Sequence, residues 1–125
     1  MIFNDPSTLA EVRAAFYRYE RALLDNDAAV LDAMFVHRDD TIRFGVGEWQ
    51  YGIDAIRAFR AVQQPFERVL DGLEIVAYGH DVATASTLFH RTDLPGLVGR
   101  QQQTWVRTAT GWCVAAAHVS MIKGS

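Results

Sequence analysis

The chain has 125 residues, half of them hydrophobic, and a net charge of -3 from 12 basic and 15 acidic residues that are interspersed along it. This excludes the basic footprint of a nucleic-acid or acidic-membrane binder, and the size predicts one domain over residues 1–125 that buries its own core. The lone cysteine, Cys113 in W-C-V-A-A-A, rules out an internal disulfide; with no basic leader and no apolar run near the ~20 residues of a membrane span, a cytoplasmic protein is expected.

Asp5-Pro6 is a helix opening, and Thr8 with Glu11 offers a capping-box start slightly later. Leu9, Val12, Phe16, Tyr19 and Leu23 then recur at spacings of three and four, so one face of a helix ending near Asp25-Asn26-Asp27 points inward and carries Tyr19 with it. Asp27 predicts a cap for a second, shorter helix with Val30, Leu31, Met34 and Phe35 as its apolar set. A short strand covers about Thr41 to Phe44. Gly45 and Gly47 mark a turn that Gly52 ends, and Ile53, Ile56 and Phe59 restart a helical stripe that Pro65 stops.

From there the period changes to that of strands. Val69–Tyr78 and Val82–Arg91 flank G-H-D, D-L-P-G makes a broader loop, and Val98–Thr108 and Trp112–Ile122 flank A-T-G. Helices segregated from an antiparallel meander predict an α+β domain with the helices on one face of a bent sheet. In the last strand Trp112, Val114, Ala116, His118 and Ser120 share one face and Cys113, Ala115, Ala117, Val119 and Met121 the other. Neither face is polar, which predicts helices on one side and a second subunit, hence a homodimer, on the other.

The segments N-D-A-A-V-L-D-A-M-F, Y-G-I-D-A-I-R-A-F and G-W-C-V-A-A-A-H-V-S resemble the NTF2-like superfamily, which includes ketosteroid isomerase, the SnoaL-like cyclases and a kinase association domain. R-F-G-V-G-E-W-Q-Y-G-I-D-A-I-R-A-F-R and G-R-Q-Q-Q-T-W-V-R are similar to the AtzH-like family within it, and the likeness runs from about Val12 to Met121. The resemblance implies the cystatin-like cone: three N-terminal helices packed on a curved, mostly antiparallel sheet around an apolar cavity. For the AtzH-like namesake it implies a decarboxylating amidohydrolase acting on a small carboxylated urea.

Tyr19 lies in a segment that resembles the helix on which ketosteroid isomerase carries its oxyanion-stabilising tyrosine, so the resemblance implies a donor to a developing oxyanion; a core tyrosine bonded to a backbone carbonyl is the alternative. Arg43 alternates with Ile42 and Phe44, and turned inward it would clamp a carboxylate with two parallel N–H bonds. Its alternative is an ion pair with Glu48, and Glu48 is either that partner or a general base. Trp49 and Tyr51 are candidates to wall the pocket mouth. Gln101, Gln103 and Trp105 share one face of a strand opposite Arg100, Gln102 and Thr104. If the odd face meets the cavity, as the superfamily alignment implies, Gln101 and Gln103 line it and Arg100 goes to the subunit interface. His118 is a candidate ligand contact that could act as acid or base near neutral pH, or a hydrogen-bonded core or interface residue.

His37, His80 and His90 show no ligand spacing, so neither a metal nor a cofactor is expected. There is no G-x-S-x-G elbow and no glycine-rich phosphate loop. The expected ligand is a small anionic or carbonyl-bearing molecule, decarboxylated, isomerised or hydrolysed by acid–base and electrostatic means. A non-catalytic binding or assembly module, and an accessory subunit beside an amidohydrolase, remain open alternatives.

Overall fold

Asp5 starts the first helix: its carboxylate accepts from the Thr8 backbone N–H at 3.0 Å and from the Thr8 hydroxyl at 2.9 Å, while Pro6 sits in the first turn, where its missing N–H costs nothing. In the computed structural model, which describes residues 1–124, α1 runs Pro6–Leu24 and buries Val12, Phe16, Tyr19 and Leu23. Asn26 adopts left-handed backbone (φ 54°), and Asp27 caps the short α2, Ala28–Ala33, by accepting from the Val30 N–H at 3.2 Å. No helix among the described residues is long and apolar enough to cross a membrane.

β1 (Ile42–Gly45) and β2 (Glu48–Tyr51) form a tight antiparallel hairpin, with Arg43 opposite Gln50 and Gly45 opposite Glu48. The stretch expected to be all turn thus contains a second strand, because Glu48-Trp49-Gln50-Tyr51 alternates polar and aromatic residues with a period of two. α3 follows over Ile53–Val62, with Ile53 and Ile56 buried and Pro65 just past its end.

β3 (Arg68–Tyr78), β4 (Val82–Arg91), β5 (Leu97–Thr108) and β6 (Gly111–Lys123) make the meander. β1 pairs parallel to β6, so the six-stranded sheet is mixed, in the order β2-β1-β6-β5-β4-β3. The helices pack on one face, where Phe16, Leu31, Phe35, Ile56, Trp105 and Val114 are almost completely buried.

β6 departs from simple alternation. Its register against β5 passes from Thr104 opposite Ala116 to Trp105 opposite Val114, which leaves Ala115 as a bulged residue. The face expected to hold Trp112, Val114, Ala116, His118 and Ser120 therefore splits. Trp112 and Val114 enter the core, Ala116 and His118 are exposed on the opposite side, and Ala117, Val119 and Met121 replace them inward.

Glu11 ties α1 to the meander by accepting from Trp112 Nε1 at 3.0 Å and Arg107 Nη1 at 2.6 Å. The indole N–H first, and the guanidinium second, hold its carboxyl below the ordinary 4.5. A carboxyl lowered by folding contributes stability above its unfolded pKa and loses it as pH falls through the folded value. Glu11→Gln should therefore lower the melting temperature near neutrality yet flatten its decline below pH 4.5, as melts over a pH series would read. An acid limb as steep as the wild type's would deny the contact this role.

Candidate functional site

At one end of the core the helices and the sheet part around a pocket of about 150 Å³. Every layer contributes to it: Tyr19 from α1, Arg43 from β1, Glu48 from β2, Arg60 from α3, Arg68 from β3 and Gln101 and Gln103 from β5. A cavity of about 150 Å³ admits a benzene-sized molecule, so the space suits a ligand of roughly six to ten non-hydrogen atoms.

Arginine dominates the wall. Arg43 is buried and its Nη1 donates to Glu48 Oε1 at 2.6 Å and to Gln50 Oε1 at 2.8 Å, with the guanidinium 4.4 Å from the centre of the Phe59 ring. The ion pair with Glu48 is thus formed, by a side chain that also lines the pocket. Gly45 makes the pair possible: a Cβ there would collide with Glu48 Oε1 and come within 2.7 Å of Arg43 Nη1.

Arg68 is held more completely. Its Nε and Nη2 donate to the two Glu20 carboxylate oxygens at 3.0 and 2.6 Å, and its Nη1 donates to Gln101 Oε1 at 3.0 Å. The Phe89 ring lies 4.6 Å from this guanidinium and rests on Gly99, where any Cβ would strike it. Arg91, at the rim, pairs with Asp93, and the guanidinium holds that carboxyl below the usual aspartate value.

Arg60 differs from all three. It is 3% exposed, yet among the described residues no carboxylate lies within ion-pair distance. Its Nη1 donates to Gln63, its Nη2 approaches Tyr19 Oη at 3.4 Å, and its Nε has no acceptor. A buried guanidinium normally demands a counter-charge, because the desolvation of one ion costs several kcal/mol. The missing charge is what an anionic ligand would bring.

Tyr19 is 4% exposed and fixed edge-on against Phe35 and Trp105, each with ring centres 6.0 Å away. Gln101 and Gln103 are buried on the pocket side of β5. Of the other expected contacts, three lie elsewhere. Glu48 and Gln50 take the inward positions of β2, so the alternation sends Trp49 and Tyr51 to the opposite face, 70% and 59% exposed. The Ala115 bulge puts His118 on that same outer face, edge-on to Phe44 at 5.7 Å.

Arg60, Arg68 and Glu20 were not among the expected site residues. Arg60 falls on the Ile53–Ile56 stripe of α3 and Glu20 lies one turn beyond Phe16 on α1, so a charge in an apolar helical register was the available signal. Arg68 opens a strand and gave none. Among the described residues, no group of three or more His, Cys, Asp or Glu side chains is placed to hold a metal ion.

The AtzH-like family model matches residues 1–125. The chain belongs to the AtzH-like family. A DUF3225 family protein of unknown function from Pectobacterium atrosepticum is 50% identical, with 97% of this chain and 95% of that one covered at a TM-score of 0.93. A cystatin-like fold protein from Burkholderia xenovorans is 43% identical over 100% and 99% of the two chains, at a TM-score of 0.96. An NTF2-like protein of unknown function from Pseudomonas putida, 22% identical over 93% and 87% at a TM-score of 0.77, shares the fold. No protein of curated function matches. The α+β architecture of this AtzH-like chain is thus the NTF2-like, cystatin-like cone.

Two of the buried arginines, Arg68 and Arg60, should respond differently to removal of charge. Arg68→Met strands Glu20 in the interior, a loss of about 3–5 kcal/mol that should lower the melting temperature by on the order of 10 °C. Arg60→Met strands no carboxylate and should leave the melting temperature unchanged or raised. Calorimetric melts of the two variants, in the absence of ligand, decide; a large loss from Arg60→Met would make that arginine structural.

Proposed function

We propose that this AtzH-like chain is a small-molecule enzyme that binds a small carboxylated urea or amide in the arginine-lined pocket and decarboxylates it. The observation that carries this is Arg60: a buried cation without a counter-charge, beside the Tyr19 hydroxyl. In such a substrate the bond between nitrogen and the carboxylate carbon breaks, carbon dioxide leaves, and the electron pair passes to the nitrogen and the adjoining carbonyl oxygen. Donors fixed in a dry site stabilise that oxygen more than they would in water. Tyr19 and Arg60 would take this role, while Arg43, already balanced by Glu48, orients the departing carboxylate without holding it too tightly. A proton from solvent water then adds to the nitrogen in place of the lost carboxylate.

Hydrolysis is less well supported, because it needs a base to activate water. Glu48, which lines the pocket and would be that base, is tied to Arg43 at 2.6 Å. The same engagement favours a second reading, a non-catalytic module that binds a small anion.

Release of labelled carbon dioxide from a ¹³C-carboxylated urea, followed by NMR, separates the two. The expected result is release faster than in buffer, lowered about 10²- to 10³-fold in Tyr19→Phe, as for loss of one oxyanion donor. Binding of the compound without accelerated release would leave the module.

The homodimer expected from the sequence would use the outer face of the sheet. Phe44, Trp49 and Tyr51 are exposed together there on β1 and β2, an apolar cluster whose coverage by a second copy would remove it from water. Sedimentation should give twice the 14.0 kDa chain mass, and Trp49→Glu should shift the protein to monomer. A wild-type monomer at all concentrations would refute the dimer.

A further inference from the structure

Several polar groups on the pocket wall have their acceptor atoms already occupied. Gln101 Oε1 accepts from Arg68 Nη1 at 3.0 Å, Gln103 Oε1 accepts from Trp105 Nε1 at 3.1 Å, and Tyr19 Oη receives Arg60 Nη2 at 3.4 Å. Guanidinium and indole N–H groups can only donate. They therefore dictate which end of each amide is oxygen, and leave the amide NH₂ groups and the phenol O–H as the unspent donors of these three side chains. Gln101 Nε2 and Arg60 Nε are buried without an acceptor among the described residues. The nearby carboxylates do not relieve them: Glu48 turns its Oε1 to Arg43 and makes no bond to either donor, and both oxygens of Glu20 are taken by Arg68.

A buried donor left without an acceptor is expensive, and two on residues that line one small pocket call for an explanation. We propose that Gln101 and Gln103 determine specificity, locked donor-inward by Arg68 and Trp105. They admit a ligand whose buried face carries acceptors alone, a carboxylate or a ureido carbonyl, and disfavour a group of the same shape that must present N–H there, a carboxamide NH₂ or an ammonium. Arg68 and Trp105 are positioning residues: they set the amides and do not meet the ligand's reacting atoms. The selectivity rests on the carboxylate-pocket reading above and deepens it by stating what the wall refuses. A donor brought against these amides would face N–H with N–H, and a site built around directed hydrogen bonds discriminates far more sharply than one built on size.

Titration calorimetry with malonate and malonamate, which differ by one oxygen for one NH₂, tests the inference without needing the natural substrate. Wild-type protein should bind malonate roughly 100-fold more tightly than malonamate. In Gln101→Leu the wall loses one donor and its carbonyl, and the ratio should fall about 10-fold. In Arg68→Lys the ammonium stays beside Glu20 but cannot also hold the Gln101 oxygen. The amide is then free to turn, and the ratio should fall similarly, with malonamate binding gained.

The attraction of Arg60 for the extra negative charge of malonate is common to all three proteins, so a change in ratio reports hydrogen bonding. An Arg68 that is merely structural would lower stability, and both affinities together, without moving the ratio. An equal ratio in the wild type and the variants overturns the specificity role while leaving the pocket an anion site. Absence of binding by the wild type to either compound overturns the carboxylate-pocket reading, and the specificity role with it. Should one variant fail to melt cooperatively, the ratio in the other decides.

Discussion

The Glu20 carboxylate grips the Arg68 guanidinium through bonds of 2.6 and 3.0 Å, in a place where both side chains are almost wholly shielded from water. This fork joins the C-terminal part of α1 to the first residue of β3, and so fixes the helix against the far edge of the meander. A buried pair of this kind is close to neutral in net stability, since the desolvation of two ions offsets most of their attraction. Its value lies in direction. With Nε and Nη2 committed to Glu20, the remaining arm, Nη1, can reach only Gln101, and the amide on the pocket wall inherits its orientation from an ion pair behind it.

The pocket itself follows from a backbone irregularity and a few small residues as much as from the helices. The Ala115 bulge in β6 rotates the strand so that Trp112 and Val114 fill the core at one end while Ala117, with Val119 and Met121 beyond it, faces the pocket at the other. Small side chains under the open end of the helical layer leave space; large ones would close it. Gly45 and Gly99 do the same work at the sides, one accommodating the Arg43–Glu48 pair and the other the Phe89 ring beneath Arg68. The volume is created by small residues and then lined with long charged ones.

Period and punctuation made most of the architecture legible from the residues. Asp5-Pro6 and Asp27 mark helix starts, the 12-16-19-23 stripe marks the buried face of α1, and the four long strands lie close to their expected bounds. What escaped was what a period cannot encode. β2 is too short for its alternation to stand out beside two glycines, and a bulge leaves no trace in a strand apolar on both faces. The site was legible where one strand decided it, as with Arg43 and the odd-numbered glutamines. It was illegible where an ion pair joined residues 48 positions apart, as with Glu20 and Arg68. His118 shows the limit: its face depends on one inserted residue, and no local feature announced the insertion.

The distribution of charge around the pocket bears on the kind of reaction it would favour. A carboxylate that departs as carbon dioxide takes its negative charge away from the group that held it, so a strong unpaired cation at that position would stabilise the bound state and oppose the step. A cation already neutralised, as Arg43 is by Glu48, orients the carboxylate at smaller penalty. The oxygen that stays behind gains charge, and there an uncompensated cation with a directed hydroxyl is most effective, because nothing needs to reorganise when the charge arrives. Arg60 and Tyr19 form such a pair, and Phe59 lies against both guanidiniums, 4.4 Å from Arg43 and 5.7 Å from Arg60. One balanced and one unbalanced arginine on a shared aromatic ring form an asymmetric field. A reaction that moves negative charge from one end of a small molecule to the other would be driven by that asymmetry.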